Sequence, residues 1–456
     1  MKSKKTYRRV AVKKVCVDAL IEQAVLFGGP QTTVGLDIAK KEIVVVVRWE
    51  SDQFEQPWSV KNCSEVGELL ELLKRLRLTC DGLRVGMEST GTYGDIVRRQ
   101  LTLEGFDVQR VSGKAVSDYA EIFDGVPSQH DGKDAAMIAE LVAFGKGTAW
   151  PYREDSEAEQ QMKHQVRRLD AFQKQMNTWL GRIEGLMARH WPELTELLEL
   201  NSATLLETLA HYGSPARLAA DPEGRRNLRR WGRAGLKPQT IDRLLETAGQ
   251  TRGVPTSESD RRWIQEVAGL ALSALREVQG CTQALKQLVE RSDDPAMRAI
   301  HSLSAEIGLV TTCVLWAAVG DPRNYDCAGA YLKALGLNLR ECSSGKHQGQ
   351  LKLTKRGPSI ARRWLYFLAL RAVQREEVKP WYAGKVNRDR QHGKMRGLIG
   401  VMRKLSRSIW HVRNTGEPFD WSKVFPGRPL AAVKRLPPTT ECASCEPCVS
   451  SVGSVD

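Results

Sequence analysis

The feature that most constrains the fold is an alternation of short β-rich runs with helical patterns between Thr33 and about Tyr152. Four runs rich in β-branched and apolar residues cover residues 34–37, 43–47, 83–87 and 107–111. Helical patterns lie near residues 65–76 and 93–105. A strand hairpin followed by alternating strands and helices predicts a mixed sheet covered by helices. Residues 33–152 are therefore expected to form an α/β domain.

Four acidic residues stand where such a sheet and its helices would bring them together. Asp37 ends the first β-rich run and Glu88 follows the third, while Asp131 and Asp134 begin a helical pattern. A spacing of three residues puts Asp131 and Asp134 on the same side of a first helical turn. Mixed sheets of this kind occur in ribonuclease-H-like folds. We therefore expect the four carboxylates to share one cleft.

The oxygen ligands of these acids suit a metal site. Two acids at strand ends and an i,i+3 acidic pair can gather around two Mg²⁺ ions, which hold and polarise phosphate oxygens. Oxygen-only ligands favour Mg²⁺ or Mn²⁺ over zinc. Each acid also has a structural explanation, since Asp131 and Asp134 would favour the helix dipole, Asp37 would fit a turn and Glu88 would cap a helix. The order and context of all four favour the metal site.

Two long helical patterns follow the α/β domain. Their apolar residues recur at three- and four-residue spacing: Met162, Val166, Leu169, Met176, Leu180, Ile183 and Met187, then Ile264, Val267, Ala271, Ala274, Val278, Leu285 and Leu288. The spacing predicts heptad-like seams, so residues 153–295 are expected to form long coiled-coil arms, either an antiparallel pair or an oligomerisation stalk. Ordinary core packing within one subunit explains the same seams.

Positive charge is concentrated near the C-terminal end. The 456-residue chain has a formal net charge of +14. Residues 340–435 hold about 23 lysines and arginines against about 6 acids. A phosphate backbone favours such clusters because binding releases its counterions. Residues 296–433 are therefore expected to form a nucleic-acid-binding and mainly α-helical domain.

A pair of serines followed by a glycine lies inside this basic stretch. The surrounding cations, Arg340, Lys346, His347, Lys352, Lys355 and Arg356, could hold a scissile phosphate and stabilise its transition state. A serine hydroxyl in that field can attack a phosphodiester, and Gly345 allows close approach to DNA. Ser344 is the predicted nucleophile and Ser343 the alternative. A flexible loop on a DNA-binding surface is the structural explanation of the same residues.

The two ends of the chain lie outside the predicted folded domains. In the N-terminal arm, residues 1–32, the first part is rich in lysine and arginine, as in a disordered tail or a contact to DNA or RNA. Residues 434–456 are expected to be disordered, and Cys442, Cys445 and Cys448 within them have metal-like spacing but only three ligands. No membrane-span or signal-peptide pattern is present. The protein is expected to be cytoplasmic and nucleoid-associated, without a membrane partner.

Several stretches resemble one known family. Residues 35–40, residues 88–93 and the Asp131-x-x-Asp134-Ala135 pattern are similar to the RuvC-like domain of Piv/MooV-type, bridge-RNA-guided insertion-sequence transposases, the insertion-sequence one-ten/eleven-eleven family. Residues 330–337, 340–345, 353–357 and 362–365 resemble the C-terminal transposase domain of that family. The resemblance runs from about residue 33 to residue 425 in the same order. Gln129-His130 departs from the Lys-Thr that usually precedes the third acid.

The resemblance implies a DNA transposase, or site-specific recombinase, that cuts and rejoins donor and target DNA. Its metal-binding DEDD acids correspond to Asp37, Glu88, Asp131 and Asp134, holding Mg²⁺ or Mn²⁺, and its nucleophile to Ser344. The expected nucleic-acid-binding residues are Arg340, Lys346, Lys352, Lys355, Arg356, Arg362 and Arg363. A structured bridge RNA would pair with both DNAs. Exchange of four strands by one-serine sites implies a homo-oligomer, a dimer of dimers.

Three other functions fit part of the sequence. A RuvC-like hydrolytic endonuclease would use the same four acids with water as the nucleophile, leaving Ser344 as a DNA contact. A non-catalytic nucleic-acid scaffold would explain the basic region but not the acids. An actin-like sugar kinase shares a first hairpin with an acid at the strand end, yet no second phosphate loop of the Asp-x-Gly type was found. The serine recombinase, with one active site built from two distant domains, explains the most features.

Overall fold

A computed structural model of the protein describes residues 8–89, 91–126, 130–344, 347–388 and 392–426. The chain divides into two compact units, one ending at Glu154 and the other beginning at Asp155. Buried apolar clusters occur in both units. No helix within the described ranges is long and apolar enough to cross a lipid bilayer.

A mixed sheet forms the centre of the first unit. In its described part the strands are β1 (Val10–Ala11), β2 (Thr33–Ile38), β3 (Glu42–Arg48), β4 (Trp58–Lys61), β5 (Arg84–Glu88), β6 (Asp107–Val111) and β7 (Thr148–Ala149). They lie in the order β1-β4-β3-β2-β5-β6-β7. Strand β3 is antiparallel to both β2 and β4, and β7 is antiparallel to β6. The pairs β1–β4, β2–β5 and β5–β6 are parallel. The α/β prediction for this region is confirmed.

Helices cover this sheet. They are α1 (Val17–Phe27), α2 (Val66–Thr79), α3 (Asp95–Leu103), α4 (Gly113–Asp124) and α5 (Asp131–Ala143). Helix α5 lies directly against the sheet because two strand glycines leave room for it. A Cβ atom at Gly35 would lie 1.9 Å from the carbonyl oxygen of Ala135, and one at Gly86 would lie 2.4 Å from Val142 Cγ2. The start of α5 is therefore held over the ends of β2 and β5.

The second unit is mainly helical. Its helices are α6 (Glu157–His190), α7 (Pro192–Leu197), α8 (Ala203–Tyr212), α9 (Pro215–Ala220), α10 (Gly224–Gly232), α11 (Pro238–Gln250), α12 (Glu258–Arg291), α13 (Pro295–Ile307), α14 (Leu309–Val319), α15 (Ala328–Ala334), α16 (Ser359–Ala372), α17 (Lys379–Val386), α18 (Gly393–Thr415) and α19 (Trp421–Val424). Between α15 and α16 lie two antiparallel strands, β8 (Leu339–Ser344) and β9 (His347–Leu353).

The two long helices α6 and α12 pack against each other in antiparallel orientation within the chain. Met162 near the start of α6 shares a core with Leu285 near the end of α12. Ile183 near the end of α6 shares another with Ile264 near the start of α12. Many of the predicted seam residues are buried in these intrachain cores, whereas Met176, Leu180, Val278 and Leu288 are half-buried. The structure therefore favours the antiparallel pair; a coiled-coil interface with another chain stays a prediction.

The last helices of the second unit pack on the base of this helix pair. Trp316 of α14 donates its indole N–H to Glu159 of α6 at 3.2 Å, and Arg363 of α16 donates to Asp170 of α6. The core they enclose includes Tyr331, Leu365 and Val401. These contacts fix the ends of the β8–β9 segment on a rigid helical base.

Candidate active site

Two of the four acids lie side by side at the ends of neighbouring parallel strands. Leu36 of β2 is paired with Met87 of β5, so the next residues on the two strands are Asp37 and Glu88. Both side chains are partly buried. Parallel strands bring their carboxyl ends to one edge of a sheet, and this is the edge at which α5 begins.

The other two acids belong to the first turn of α5. The His130 side chain accepts a hydrogen bond from the N–H of Gly132 at 3.1 Å and caps the helix, and Asp131 and Asp134 follow. Lys133 is fully buried and donates to Asp124 Oδ1 at 2.6 Å, which ties the start of α5 to the end of α4. With α5 also held on the sheet, the two carboxylates have a defined position.

The electrostatic coupling of the acids supports one shared site. Burial raises the pKa of Asp37 to about 6, helped by the negative charges of Asp134, Asp131 and Glu88. Burial and the charge of Asp134 raise the pKa of Glu88. Burial and the charge of Asp131 raise the pKa of Asp134. Repulsion of this kind acts between carboxylates that are near one another and poorly solvated, so it is consistent with the predicted shared site.

Arg9 places a positive charge among these carboxylates. Its guanidinium donates to Asp131 and, at 2.7 Å, to Glu42 Oε2. The positive charge also lowers the pKa of Asp37 and so opposes the effect of burial. The sequence pattern places Arg9 in a basic N-terminal arm and does not indicate this contact. The Arg8-Arg9 pair just before β1 was the signal available in the sequence.

A glycine shapes the position of Glu88. Gly113 begins α4, and a Cβ atom at this position would lie 2.0 Å from Glu88 Oε1. The Glu88 carboxylate therefore lies against the first residue of α4, and a side chain at that position would displace it. Sequence patterns did not indicate this role for Gly113, because it depends on the approach of two elements that are separated in the chain.

The donor chemistry of the site fits a hard divalent cation. Four partly buried or exposed carboxylates supply only oxygen ligands, and their mutual repulsion would be relieved by a bound cation. Within the described ranges, however, no three Asp, Glu, His or Cys side chains are arranged closely enough to hold one metal ion. The residues present thus fit the ion by type, and their side chains would have to draw together around it.

The predicted nucleophile lies on the β8–β9 hairpin of the second unit. Ser344 is the last residue of β8 and is paired with His347 of β9, with a register irregularity between Cys342 and Ser344. The hairpin is closed at its base, where a Cβ atom at Gly357 would lie 2.4 Å from the carbonyl oxygen of Ala334. The side chains of residues 342–350 lie outside the described part of the structure. Lys346 lies outside it entirely.

The predicted nucleic-acid-binding residues divide into two groups. Arg340, Lys352, Lys355 and Arg356 are exposed, and Arg340 is the cross-strand partner of Lys352. Arg362 donates to the carbonyl oxygen of Gly357 at 2.6 Å, and Arg363 donates to Asp170. The first group presents cations to solvent along the hairpin and the segment after it. The two arginines of the second group are half-buried and bonded within the protein.

A mixed sheet with four carboxylates at its strand ends and at the start of the adjoining helix, together with a basic hairpin later in the chain, suits an enzyme that acts on phosphodiesters of nucleic acids. Comparison with protein families gives the particular family. Residues 34–192 match the DEDD transposase model of IS110, and residues 301–396 match the transposase model of the IS116/IS110/IS902 family. The chain belongs to the IS110-type transposases, and its substrates are therefore DNA. A search of curated proteins gave no match.

The two matched segments contain the predicted site residues. The DEDD segment contains Asp37, Glu88, Asp131 and Asp134, and such a domain indicates dependence on a divalent metal. The second segment contains Ser344 and the basic residues from Arg340 to Arg363. Together the segments cover more than half of the chain, and the resemblance found in the sequence is confirmed at the level of the family. Residues 193–300 lie outside both segments.

Proposed function

We propose that this transposase cuts and rejoins donor and target DNA through a covalent bond between Ser344 and DNA. The observation that carries the proposal is the placement of Asp37 and Glu88 at the ends of paired strands, with Asp131 and Asp134 in the first turn of the helix packed on those strands. Carboxylates repel phosphate unless a cation lies between them, so this cluster suits an enzyme that handles phosphodiesters with a metal.

The four acids would hold Mg²⁺ or Mn²⁺. The bound ion would neutralise phosphate oxygens and polarise the phosphodiester. The protein contributes the position of the ligands: α5 is held against Gly35 and Gly86, and Glu88 lies against Gly113. A rigid sheet edge and a rigid helix start are the elements on which such a ligand set can be kept in place.

Ser344 would supply the nucleophile. Its hydroxyl oxygen attacks phosphorus, the bond from phosphorus to the 3′ oxygen breaks, and the departing oxygen takes up a proton while the serine releases one. In the reverse reaction a 3′-hydroxyl from another strand attacks the same phosphorus and loses its proton, the bond from phosphorus to the serine oxygen breaks, and the serine oxygen takes up a proton. The number of phosphodiester-type bonds is conserved, so rejoining requires no ATP. The exposed cations Arg340, Lys352, Lys355 and Arg356 would hold the scissile phosphate and its developing charge.

The family resemblance also supports a guide RNA and a defined assembly. A structured bridge RNA would choose donor and target sequences by base pairing, leaving the protein to bind backbone and shape. Exchange of four strands with one serine per subunit would need four copies, arranged as a dimer of dimers. The half-buried apolar residues Met176, Leu180 and Val278 along α6 and α12 are candidate contacts between copies.

A hydrolytic endonuclease is the second candidate, because four converging carboxylates suffice to activate water beside a metal. Strand-transfer assays on Ser344→Ala and Ser343→Ala test the two candidates. The serine mechanism predicts that Ser344→Ala loses cleavage and strand transfer while Ser343→Ala retains both. Cleavage by Ser344→Ala at the wild-type rate would favour the hydrolytic reaction. Loss of cleavage in Ser343→Ala alone would identify Ser343 as the nucleophile.

A further inference from the structure

A small helical module lies between the two long helices of the second unit. It comprises α7 to α11, and its residues share a core with the far ends of α6 and α12 that includes Leu209, Leu228 and Leu244. Nearly all of this module falls between the two segments that match transposase models. The family match therefore leaves its role open.

Helix α10 of this module has one apolar face and one arginine face. Gly224 and Leu228 are buried against the module, whereas the arginines are all exposed: Arg225, Arg226, Arg229, Arg230 and the adjacent Arg233. At about 100° per residue, Arg226, Arg229 and Arg230 lie roughly 100° to 160° around the helix from Leu228. Arg225 flanks them, and Arg233 follows the last residue of the helix. The sequence of α10 thus presents a continuous cationic surface to solvent. We refer to these five residues as the arginine face.

Part of this charge has no carboxylate partner within the module. Arg225 pairs with Asp242, and Arg226 pairs with Glu223 at 3.0 Å. For Arg229, Arg230 and Arg233, no carboxylate in the described part of the chain lies within ion-pair distance, 4.0 Å. An exposed cluster of like charges is unfavourable in the isolated protein, because each guanidinium repels its neighbours. A polyanion placed across the face would remove that repulsion.

Contacts with the rest of the module hold α10 in position in the absence of a ligand. The Tyr212 hydroxyl donates to Asp221 Oδ2 at 2.6 Å and accepts from Asn227 Nδ2 at 2.9 Å. Trp231 at the end of the helix packs edge-on against Tyr212, and the Arg230 guanidinium lies 5.7 Å from the Trp231 ring centroid. These contacts orient the helix, so little backbone entropy would be lost when a ligand binds the arginine face.

We propose that the arginine face of α10 binds the phosphate backbone of a nucleic acid. Guanidinium groups match phosphate oxygens with two parallel hydrogen bonds, and several of them on one helical face can span successive phosphates. The same chemistry would serve duplex DNA or structured RNA. The inference rests on the nucleic-acid substrates of the family and is independent of the serine mechanism. An acidic protein segment is the competing ligand.

The test compares two double variants of the full-length protein with the same change in net charge. Arg229→Gln/Arg230→Gln removes unpaired arginines from the arginine face. Arg217→Gln/Arg252→Gln removes two exposed arginines that lie in the same part of the chain but outside the arginine face. Binding of a labelled DNA duplex and of a labelled RNA hairpin is measured by fluorescence anisotropy at several salt concentrations. Thermal melts show whether both variants remain folded.

The proposal predicts that Arg229→Gln/Arg230→Gln weakens binding of at least one probe about tenfold or more. The slope of log affinity against log salt should become shallower by roughly 0.7 to 0.9 per lost phosphate contact. Loss with the duplex alone assigns the face to DNA, and loss with the hairpin alone assigns it to RNA. Equal effects of both double variants, or no effect on either probe, would overturn the proposal and favour a protein partner. Ser344→Ala should keep the wild-type slope, which separates this result from failure of the serine mechanism.

Discussion

The guanidinium group of Arg9 donates to the carboxylate of Asp131, although the two residues are 122 positions apart in the sequence. The same guanidinium bonds Glu42, and its charge opposes the rise in the pKa of Asp37. Arg9 therefore occupies one carboxylate of the cluster that a metal ion would use. Positive side chain and metal ion should compete for Asp131.

Arg9→Gln should strengthen divalent metal binding, because it removes the competing cation and increases the local negative charge. A partly exposed ion pair contributes up to about 1 kcal/mol, so the apparent Kd for Mn²⁺ should fall by roughly fivefold. The measurement is the rise in Tm during a Mn²⁺ titration. Arg8→Gln is the matched control and should leave the apparent Kd unchanged. Weaker metal binding by Arg9→Gln would mean that Arg9 organises the site instead of competing for it.

The raised pKa of Asp37 predicts how stability depends on pH in the absence of metal. The folded protein binds this proton more tightly than the unfolded chain does, since its pKa is about 6 against an ordinary 3.8. Stability from this group is therefore present at low pH and is lost as pH rises from about 4 to about 6. Asp37→Asn should remove this dependence and raise Tm at pH 7.

Thermal melts in EDTA between pH 4 and pH 8 check this expectation. Asp118→Asn is the control, because Asp118 is an acid of the same unit that pairs with Lys114 at the surface. The control should follow the wild-type curve. Parallel curves for wild type and Asp37→Asn would show that Asp37 titrates near its ordinary value and is not coupled to the other carboxylates.

Gly113→Ala should impair the site without unfolding the domain. The new methyl group would overlap Glu88 Oε1, so the carboxylate must move away from its position. Strand transfer should fall at least tenfold and the apparent Kd for Mn²⁺ should rise. Gly67→Ala is the control, since a Cβ atom at Gly67 meets nothing within 4 Å, and alanine favours a helix by about 1 kcal/mol. If Gly113→Ala performed strand transfer at the wild-type rate, the position of Glu88 would not matter for the reaction, and Glu88 would no longer be assigned to the metal site.

Arg363 should act through stability instead of nucleic-acid binding. It pairs with Asp170 across α16 and α6, and it is only partly exposed. Arg363→Ala should therefore lower Tm by several degrees while the salt dependence of DNA binding stays the same. Lys352→Ala on the exposed hairpin should show the reverse pattern. If Arg363→Ala instead made the dependence of DNA affinity on salt shallower and left Tm unchanged, Arg363 would be assigned to nucleic-acid binding.

The sequence was sufficient to predict four of the strands and to place the four acids at strand ends and at a helix start. Residues 34–37, 43–47 and 107–111 form β2, β3 and β6 because β-branched runs favour extended backbone and both faces of the central strands are buried. Residues 83–87 likewise predict β5, and the ends of β2 and β5 carry Asp37 and Glu88. A first helical turn fixes Asp131 and Asp134. Local patterns determine all four positions, so a shared site could be predicted from them.

Other parts of the fold and site depend on contacts that no local pattern encodes. The two-residue strands β1 and β7 are too short to show an alternation. The β8–β9 hairpin has exposed polar residues on the described strands and was missed as a strand pair. The contacts from Arg9 to Asp131 and from Arg363 to Asp170 join residues more than a hundred positions apart. Their partners are set by the assembled fold.

The central claim is that Ser344 forms a covalent bond with DNA during cleavage. The most direct measurement incubates the wild-type protein with guide RNA, Mg²⁺ and a nicked substrate that stalls rejoining, then denatures the mixture and maps the DNA-linked tryptic peptide by mass spectrometry. The account predicts an adduct on Ser344 that is absent from Ser344→Ala and, because the four acids assist the step, absent from Asp134→Ala. Cleaved DNA without any adduct in wild type, together with normal cleavage by Ser344→Ala, would contradict it.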